Sequence, residues 1–328
     1  MAKGVFTVSL DFELYWGVRD KRTIESYGAN LLGVRQAIPR MLDAFSAAGV
    51  HATWATVGFL FFDDKDELLA HLPQELPTYS KAGLSPYPWL EQVGPNERKD
   101  PYHFGLSLIR QIMAHPGQEV ASHTFSHYYC LEDGQTQGQF RADLAAAKAA
   151  AGRLGLTLRS LVFPRNQFNA SYLAACREAG FVAFRGNEPA WIYRAERNED
   201  ETSVKRLGRL IDTYVPLTGY NSRPLAHDRA PLDVPSSRFL RPYSPKLAAL
   251  DPLRLERIKA EMTHAAQRGL VYHLWWHPHN FGAHTDENMQ FLQQVLDHYR
   301  LLADRHGMQG LSIGEVADLP LERSARAA

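Results

Sequence analysis

Hydrophobic positions along this chain fall into two rhythms. Short apolar, β-branched runs predict strands at residues 4–11, 51–57, 119–123, 159–163, 181–185, 270–276 and 310–313. Between them, apolar positions recur at helical spacing and predict helices over 31–48, 104–115, 137–154, 169–179, 252–268 and 286–306. Strands that alternate with helices in this way predict an α/β fold, with βα units around a parallel sheet or barrel. Element ends carry their own signals. Thr136 precedes Gln139 by three residues, a capping-box arrangement at the head of an alanine-rich helix. Gly49, Gly155 and Gly180 fall just past helix ends, where a left-handed cap is wanted. Pro39 interrupts the first helical run, so that helix is expected to kink or to begin late.

Two stretches resist the pattern. Residues 73–103 hold six prolines and scattered aromatics, and 195–250 opens with the charged run Glu196–Glu201 before a proline-rich passage. The charged run reads as a solvated turn. Loops of this length in a compact domain are usually functional or disordered. Because Arg238-Phe239-Leu240-Arg241-Pro242-Tyr243 mixes cations with aromatics, both stretches are expected to be substrate-cleft loops inserted in a single domain spanning 1–328.

Composition narrows the class. Acidic and basic residues balance at 36 each in 328 residues, so no global field recruits nucleic acid or an anionic membrane. The two cysteines, Cys130 and Cys176, make no disulfide framework. Met-Ala-Lys-Gly runs directly into an apolar strand, without the long apolar stretch and cleavage site of a signal peptide. Phe59-Leu60-Phe61-Phe62 is too short to span a bilayer. A soluble, cytoplasmic protein is expected.

The candidate chemistry sits at predicted strand ends. Asp11 and Glu13 stand two apart at the end of the first strand, so their side chains point the same way. His123 and His127, four apart, are expected to stack on one helical turn and grip one metal ion. A carboxylate from a distant strand would complete three ligands and leave a position open, as catalytic zinc sites do. His277 is a candidate to protonate a leaving amine, with His279 as the alternative. Arg165 is a candidate partner for the base carboxylate. Tyr15, Trp16 and Trp276 offer ring faces to a sugar, whereas Trp275 reads as core. Each of these residues has an ordinary structural explanation alone, but all fall at the same end of successive strands, where βα-barrel sites assemble.

In that order the motifs resemble the polysaccharide deacetylases of carbohydrate esterase family 4. Ser9-Leu10-Asp11-Phe12-Glu13 is similar to the first motif, His123-Thr124-Phe125-Ser126-His127 to the second, Phe163-Pro164-Arg165 to the third and Trp276-His277-Pro278 to the last. Ala52–Val57 resembles the family's second strand. The resemblance implies a distorted (β/α) barrel of about seven parallel strands and a divalent metal, usually zinc. It also implies Asp11 as base, Glu13, His123 and His127 as metal ligands, and His277 as acid. Two departures stand out: Phe12 separates the two acids, leaving their roles exchangeable, and Arg165 follows Pro164 instead of preceding it. The implied reaction removes an N-acyl group from an amino sugar, with the oxyanion held by the metal and a backbone N–H near Arg165 or Asn166. In a cytoplasmic enzyme the substrate is expected to be a precursor linked to a nucleotide or lipid carrier. Arg238 and Arg241 are candidates for its phosphates, and Trp16, Asn166 and Trp276 for its sugar. Two other readings stay open: hydrolysis of a cyclic imide or ureide on the same fold, and a non-catalytic carbohydrate-binding protein.

Overall fold

Nine strands in parallel pairing curl into a barrel in the computed structural model, which describes residues 3–320 except 195, 198, 199, 227 and 228. Two positions of the predicted charged turn, Asn198 and Glu199, thus lie outside the described residues. The strands are β1 (Val5–Phe12), β2 (Ala52–Thr56), β3 (Glu119–Ser122), β4 (Ser160–Val162), β5 (Ala183–Gly186), β6 (Leu232–Pro235), β7 (Arg238–Phe239), β8 (Val271–Trp276) and β9 (Gln309–Gly310). Their order is β6-β5-β4-β3-β2-β1-β8-β7, with β9 beside the start of β1. The two outermost strands are consecutive in sequence. Between them, the Ser236 N–H donates to the Gly186 carbonyl at 2.9 Å and the Ser237 N–H to the His273 carbonyl at 2.8 Å. This one segment joins both edges of the sheet and closes the barrel.

That closure corrects the reading of 195–250 as cleft loops alone. Leu-Asp-Val-Pro and Arg-Phe are too short to show alternation, and become strands because they complete the hydrogen-bonding edges of β5 and β8. The predicted strand at 310–313 is likewise cut to two residues, after which the chain turns into a helix.

The helices are α1 (Ile24–Ala48), α2 (Lys65–Ala70), α3 (Leu106–Met113), α4 (Gln137–Gly152), α5 (Leu173–Glu178), α6 (Ser203–Asp212), α7 (Asp251–Arg268), α8 (Thr285–His306) and α9 (Ile313–Ala317). Instead of beginning late, α1 starts at Ile24, where Thr23 and Ser26 form a reciprocal capping box. It runs on through Pro39. Proline removes one helical hydrogen bond, but burial of Val34, Ile38, Met41, Leu42 and Phe45 in the core against the sheet outweighs that loss.

Period-two alternation along β1 divides the core. Phe6, Val8, Leu10 and Phe12 join the large cluster between sheet and helices. Val5, Ala55, Val162, Ala183, Val234 and Val271 form a separate cluster with Ile313 and Val316 of α9, which stops the end of the barrel where the strands begin. Ser9 and Asp11 lie inside the barrel toward its other end, on Arg185. No described helix is long and apolar enough to cross a membrane.

Candidate active site

Glu13, His123 and His127 meet at the ends of β1 and β3, all three buried, with one ligand atom from each within 4.8 Å of the other two. Glu13 Oε2 lies 3.0 Å from His127 Nε2 and 3.4 Å from His123 Nε2. His123 Nδ1 lies 2.9 Å from the Val162 carbonyl, an acceptor only, so Nδ1 donates and the ring turns Nε2 toward Glu13. That Nε2 is buried without a hydrogen-bond partner among the described residues. His127 Nδ1 is held at 3.1 Å by the Tyr129 hydroxyl. Burial, partly opposed by Glu13, pushes the His127 imidazole down to about 4, so it is neutral at working pH. Burial raises Glu13, but His277 and the neighbouring His123 and His127 rings overcome it and hold the carboxyl well below its usual range. One carboxylate, the neutral His127 imidazole and a His123 ring with an orphaned nitrogen fit a divalent cation.

The two histidines do not share a helical turn. From His123 to His127 the chain is a loop, with Thr124 at φ 62° and His127 at φ 58°. Polar side chains carve it. Asp143 accepts from the Phe125 N–H at 2.6 Å and the Ser126 N–H at 3.1 Å, and also from the Ser126 hydroxyl. Ser122 Oγ accepts from the Thr124 N–H at 3.1 Å, and Thr124 Oγ1 from the Tyr128 N–H at 2.7 Å. These local bonds compete with helix formation and bring both imidazoles to one point. The Glu13 carboxyl needs a cradle as well. A Cβ on Gly17 would stand 1.9 Å from its carboxyl carbon, so only glycine leaves it room.

Asp11 faces the barrel axis, where Arg185 of β5 grips it in a two-pronged, fully buried ion pair, Nη1–Oδ1 at 2.6 Å and Nη2–Oδ2 at 2.8 Å. Arg185 Nη1 also reaches Ser9 Oγ at 3.0 Å, Nη2 reaches Asn166 Oδ1 at 2.8 Å, and the guanidinium carbon lies 4.2 Å from the Trp275 ring centroid. Burial raises the Asp11 carboxyl, but Arg185, with His123 and His277 behind it, holds it below the ordinary value. His277 Nε2 stands 3.8 Å from Asp11 Oδ2 and 3.5 Å from Glu13 Oε1, on a side chain open to the cavity. His279 stacks on His277 at 4.9 Å and is fully buried, which pushes it down to about 3 and leaves it neutral.

Several expected partners stand elsewhere. Arg165 pairs with Asp20 and lies 4.3 Å over the Tyr129 ring, so the arginine on Asp11 is Arg185. Trp16 is buried against Phe59 with Nε1 on the His103 carbonyl at 2.9 Å, and Trp276 stacks on Phe281 in the core. Neither lines the cavity; Trp275 does. Period two along β8 explains the exchange, because His273, Trp275 and His277 share a face and Trp276 points away. Arg238 is engaged by Glu261 at 2.9 Å and Asp212 at 3.5 Å, whereas the Arg241 side chain donates to the Thr213 hydroxyl at 3.0 Å and makes no ion pair among the described residues. The Asn166 N–H is taken by the Phe163 carbonyl at 2.9 Å and is not free for an oxyanion. Arg185 was detectable in the sequence as a lone cation ending an apolar strand, since such a residue needs a buried carboxylate.

Asp11, Glu13, His127, Arg165, Asn166, Arg241, Trp275 and His277 all line one cavity of about 670 Å³. The arrangement places a metal-competent triad, an ionised carboxylate and an accessible imidazole around one space.

A family model described as polysaccharide deacetylase matches residues 28–184. No curated protein sequence matches the chain. Among solved structures, a candidate polysaccharide deacetylase from Mycobacterium smegmatis aligns with TM-score 0.59 at 13% identity, covering 97% of this chain and 93% of the other. The PuuE allantoinase aligns with TM-score 0.54 at 11% identity, covering 96% and 88%. A 4-α-glucanotransferase from Thermococcus litoralis aligns with TM-score 0.51 at 12% identity, covering 98% of this chain and 41% of that one. At these identities the alignments establish a common fold.

Proposed function

This chain belongs to the polysaccharide deacetylase family, and we propose from its site that it is a metal-dependent hydrolase removing an N-acyl group, acetyl first among them, from an amino sugar. One observation carries the reading: Glu13 and His127 of the metal-competent triad line the same cavity as His277 and as Asp11, which Arg185 holds. Glu13, His123 and His127 would hold the cation, and their mixed oxygen and nitrogen donors favour zinc. Bound there, it would polarise the acyl carbonyl and acidify water.

The chain's own residues do the rest. Asp11, kept ionised by Arg185, accepts the proton of the attacking water. Its orientation is fixed by the two-pronged guanidinium, so proton transfer needs no prior side-chain search. His277 supplies the proton to the departing nitrogen, since it reaches both carboxylates and remains open to the cavity. Buried, neutral His279 is poorly placed for that role. Trp275 offers a ring to stack on a sugar, and Arg241 offers an anionic group a guanidinium that has no carboxylate partner among the described residues. That pairing supports a substrate carried on a nucleotide or lipid phosphate.

The test joins metal analysis to product release. Purified protein should hold about one divalent ion per chain, lost in His123→Ala/His127→Ala with the fold retained, and should release acetate from N-acetylated amino-sugar derivatives. Asp11→Asn should cut that release by a factor of about 100–10,000. A protein without metal after supplementation, or a metal-loaded one inert on N-acyl sugars but active on ureides, would overturn the proposal.

A further inference from the structure

Helix α6 is turned inside out. Lys205, Arg209 and Asp212 face the protein: Lys205 pairs with Glu196, Arg209 with Glu201, and Asp212 with Arg257 at 2.9 Å. Val204, Leu207 and Ile211, spaced i, i+3 and i+7 on the opposite face, are 69%, 56% and 40% exposed. The apolar stripe continues past the helix end in Val215 and Leu217. Trp191, 65% exposed, projects from a short turn that packs Ile192 beside Gly208 of α6. A surface helix normally buries its apolar stripe and exposes its charges. Here the reverse arrangement leaves a contiguous apolar face in water, which marks an interaction surface.

Charge indicates what covers it. Arg194 and Arg206 are exposed beside the stripe, and Lys21, an electrostatic neighbour of Arg206, stands with Arg22 at the same rim of the cavity. None of these four cations makes an ion pair among the described residues, while the neighbouring Glu196, Glu201 and Asp212 are each already matched. An apolar stripe with a tryptophan and a fringe of cations outside any ion pair among the described residues complements a lipid surface carrying negative headgroups. We propose that α6 and the Trp191 turn dock on an anionic membrane surface, with the stripe in the interface and Lys21, Arg22, Arg194 and Arg206 on the headgroups. Arg194 and Arg206 also line the cavity, so docking turns its mouth toward the headgroup plane. The inference goes beyond the hydrolytic reading, and its test reads no activity, so either can fail alone.

The experiment is co-sedimentation of the full chain with phosphatidylcholine vesicles, with and without phosphatidylglycerol. Four cations acting on an anionic surface should raise partitioning roughly a hundredfold or more over neutral vesicles, and salt should erase the gain. Val204→Ser/Leu207→Ser/Ile211→Ser should abolish binding while circular dichroism stays unchanged. Arg194→Ser/Arg206→Ser should lower binding to anionic vesicles about tenfold or more and leave neutral vesicles unaffected. Absence of wild-type binding at low salt, or binding undiminished in the triple serine variant, would overturn the proposal. So would a dimer in light scattering that Leu207→Ser dissolves, since that would assign the face to a second copy.

Discussion

Replacing Arg185 by methionine tests the central electrostatic claim. The guanidinium makes two charge-assisted bonds to Asp11, at 2.6 and 2.8 Å, with neither side chain open to solvent. Methionine fills much of the volume but leaves a buried carboxylate without its cation. Removing one partner of such a pair costs about 3–5 kcal/mol. The Asp11 carboxyl must then rise toward protonation, because burial already pushes it up and Arg185 is the largest influence opposing this. Urea unfolding at pH 7 should therefore show a loss of about 3 kcal/mol or more. A double-mutant cycle isolates the pair. Asp11→Asn should recover much of the loss when added to Arg185→Met, giving a coupling of about 2 kcal/mol or more. The same cycle between Asp11 and Arg165 should give a coupling near zero, since Arg165 is paired to Asp20. If Arg185 and Asp11 couple by less than about 0.5 kcal/mol, the level expected of independent sites, the reasoning fails. If Arg165 couples strongly to Asp11, the structural assignment is reversed.

Two further outcomes follow from the geometry. In Gly17→Ala the new methyl meets the Glu13 carboxyl, whose flexible side chain must swing away, so metal affinity should fall about tenfold or more while the unfolding midpoint changes little; unchanged stoichiometry on dialysis against chelator would contradict this. His273 is fully buried between Ser9 Oγ at 2.8 Å and the Val234 carbonyl, and burial lowers it to about 3. Its folded value lies below its unfolded one, so the folded state binds fewer protons and stability falls as pH drops from about 6.5 toward 3. In His273→Gln that slope should lessen by up to about 1.4 kcal/mol per pH unit, read from urea midpoints across the range; parallel curves for variant and wild type would refute it.

Much of the site could be read along the chain because its parts sit at ends of unbroken strands. Parallel pairing brings such ends to one rim whatever the loops do, so Asp11, Glu13, the two histidines and His277 converge. Period two also carried the information that Trp275, not Trp276, shares the face of His277. The loop between the histidines was hidden because its shape is set by Asp143, sixteen residues beyond His127 on α4. A helical reading of that spacing ignores such competition for backbone hydrogen bonds.

Local pattern therefore determined the α/β class, the strand ends and the residue types gathered there, since burial and periodicity act within a few residues. Tertiary structure decided the pairings. Arg185 reaches Asp11 across 174 positions of sequence, and Arg238 is claimed by Glu261 and Asp212 before any substrate can meet it. Strands β6 and β7 likewise exist only because two open sheet edges need hydrogen-bond partners. A buried charge takes whichever opposite charge the closed barrel brings within reach, and the chain sets that distance only after it has folded.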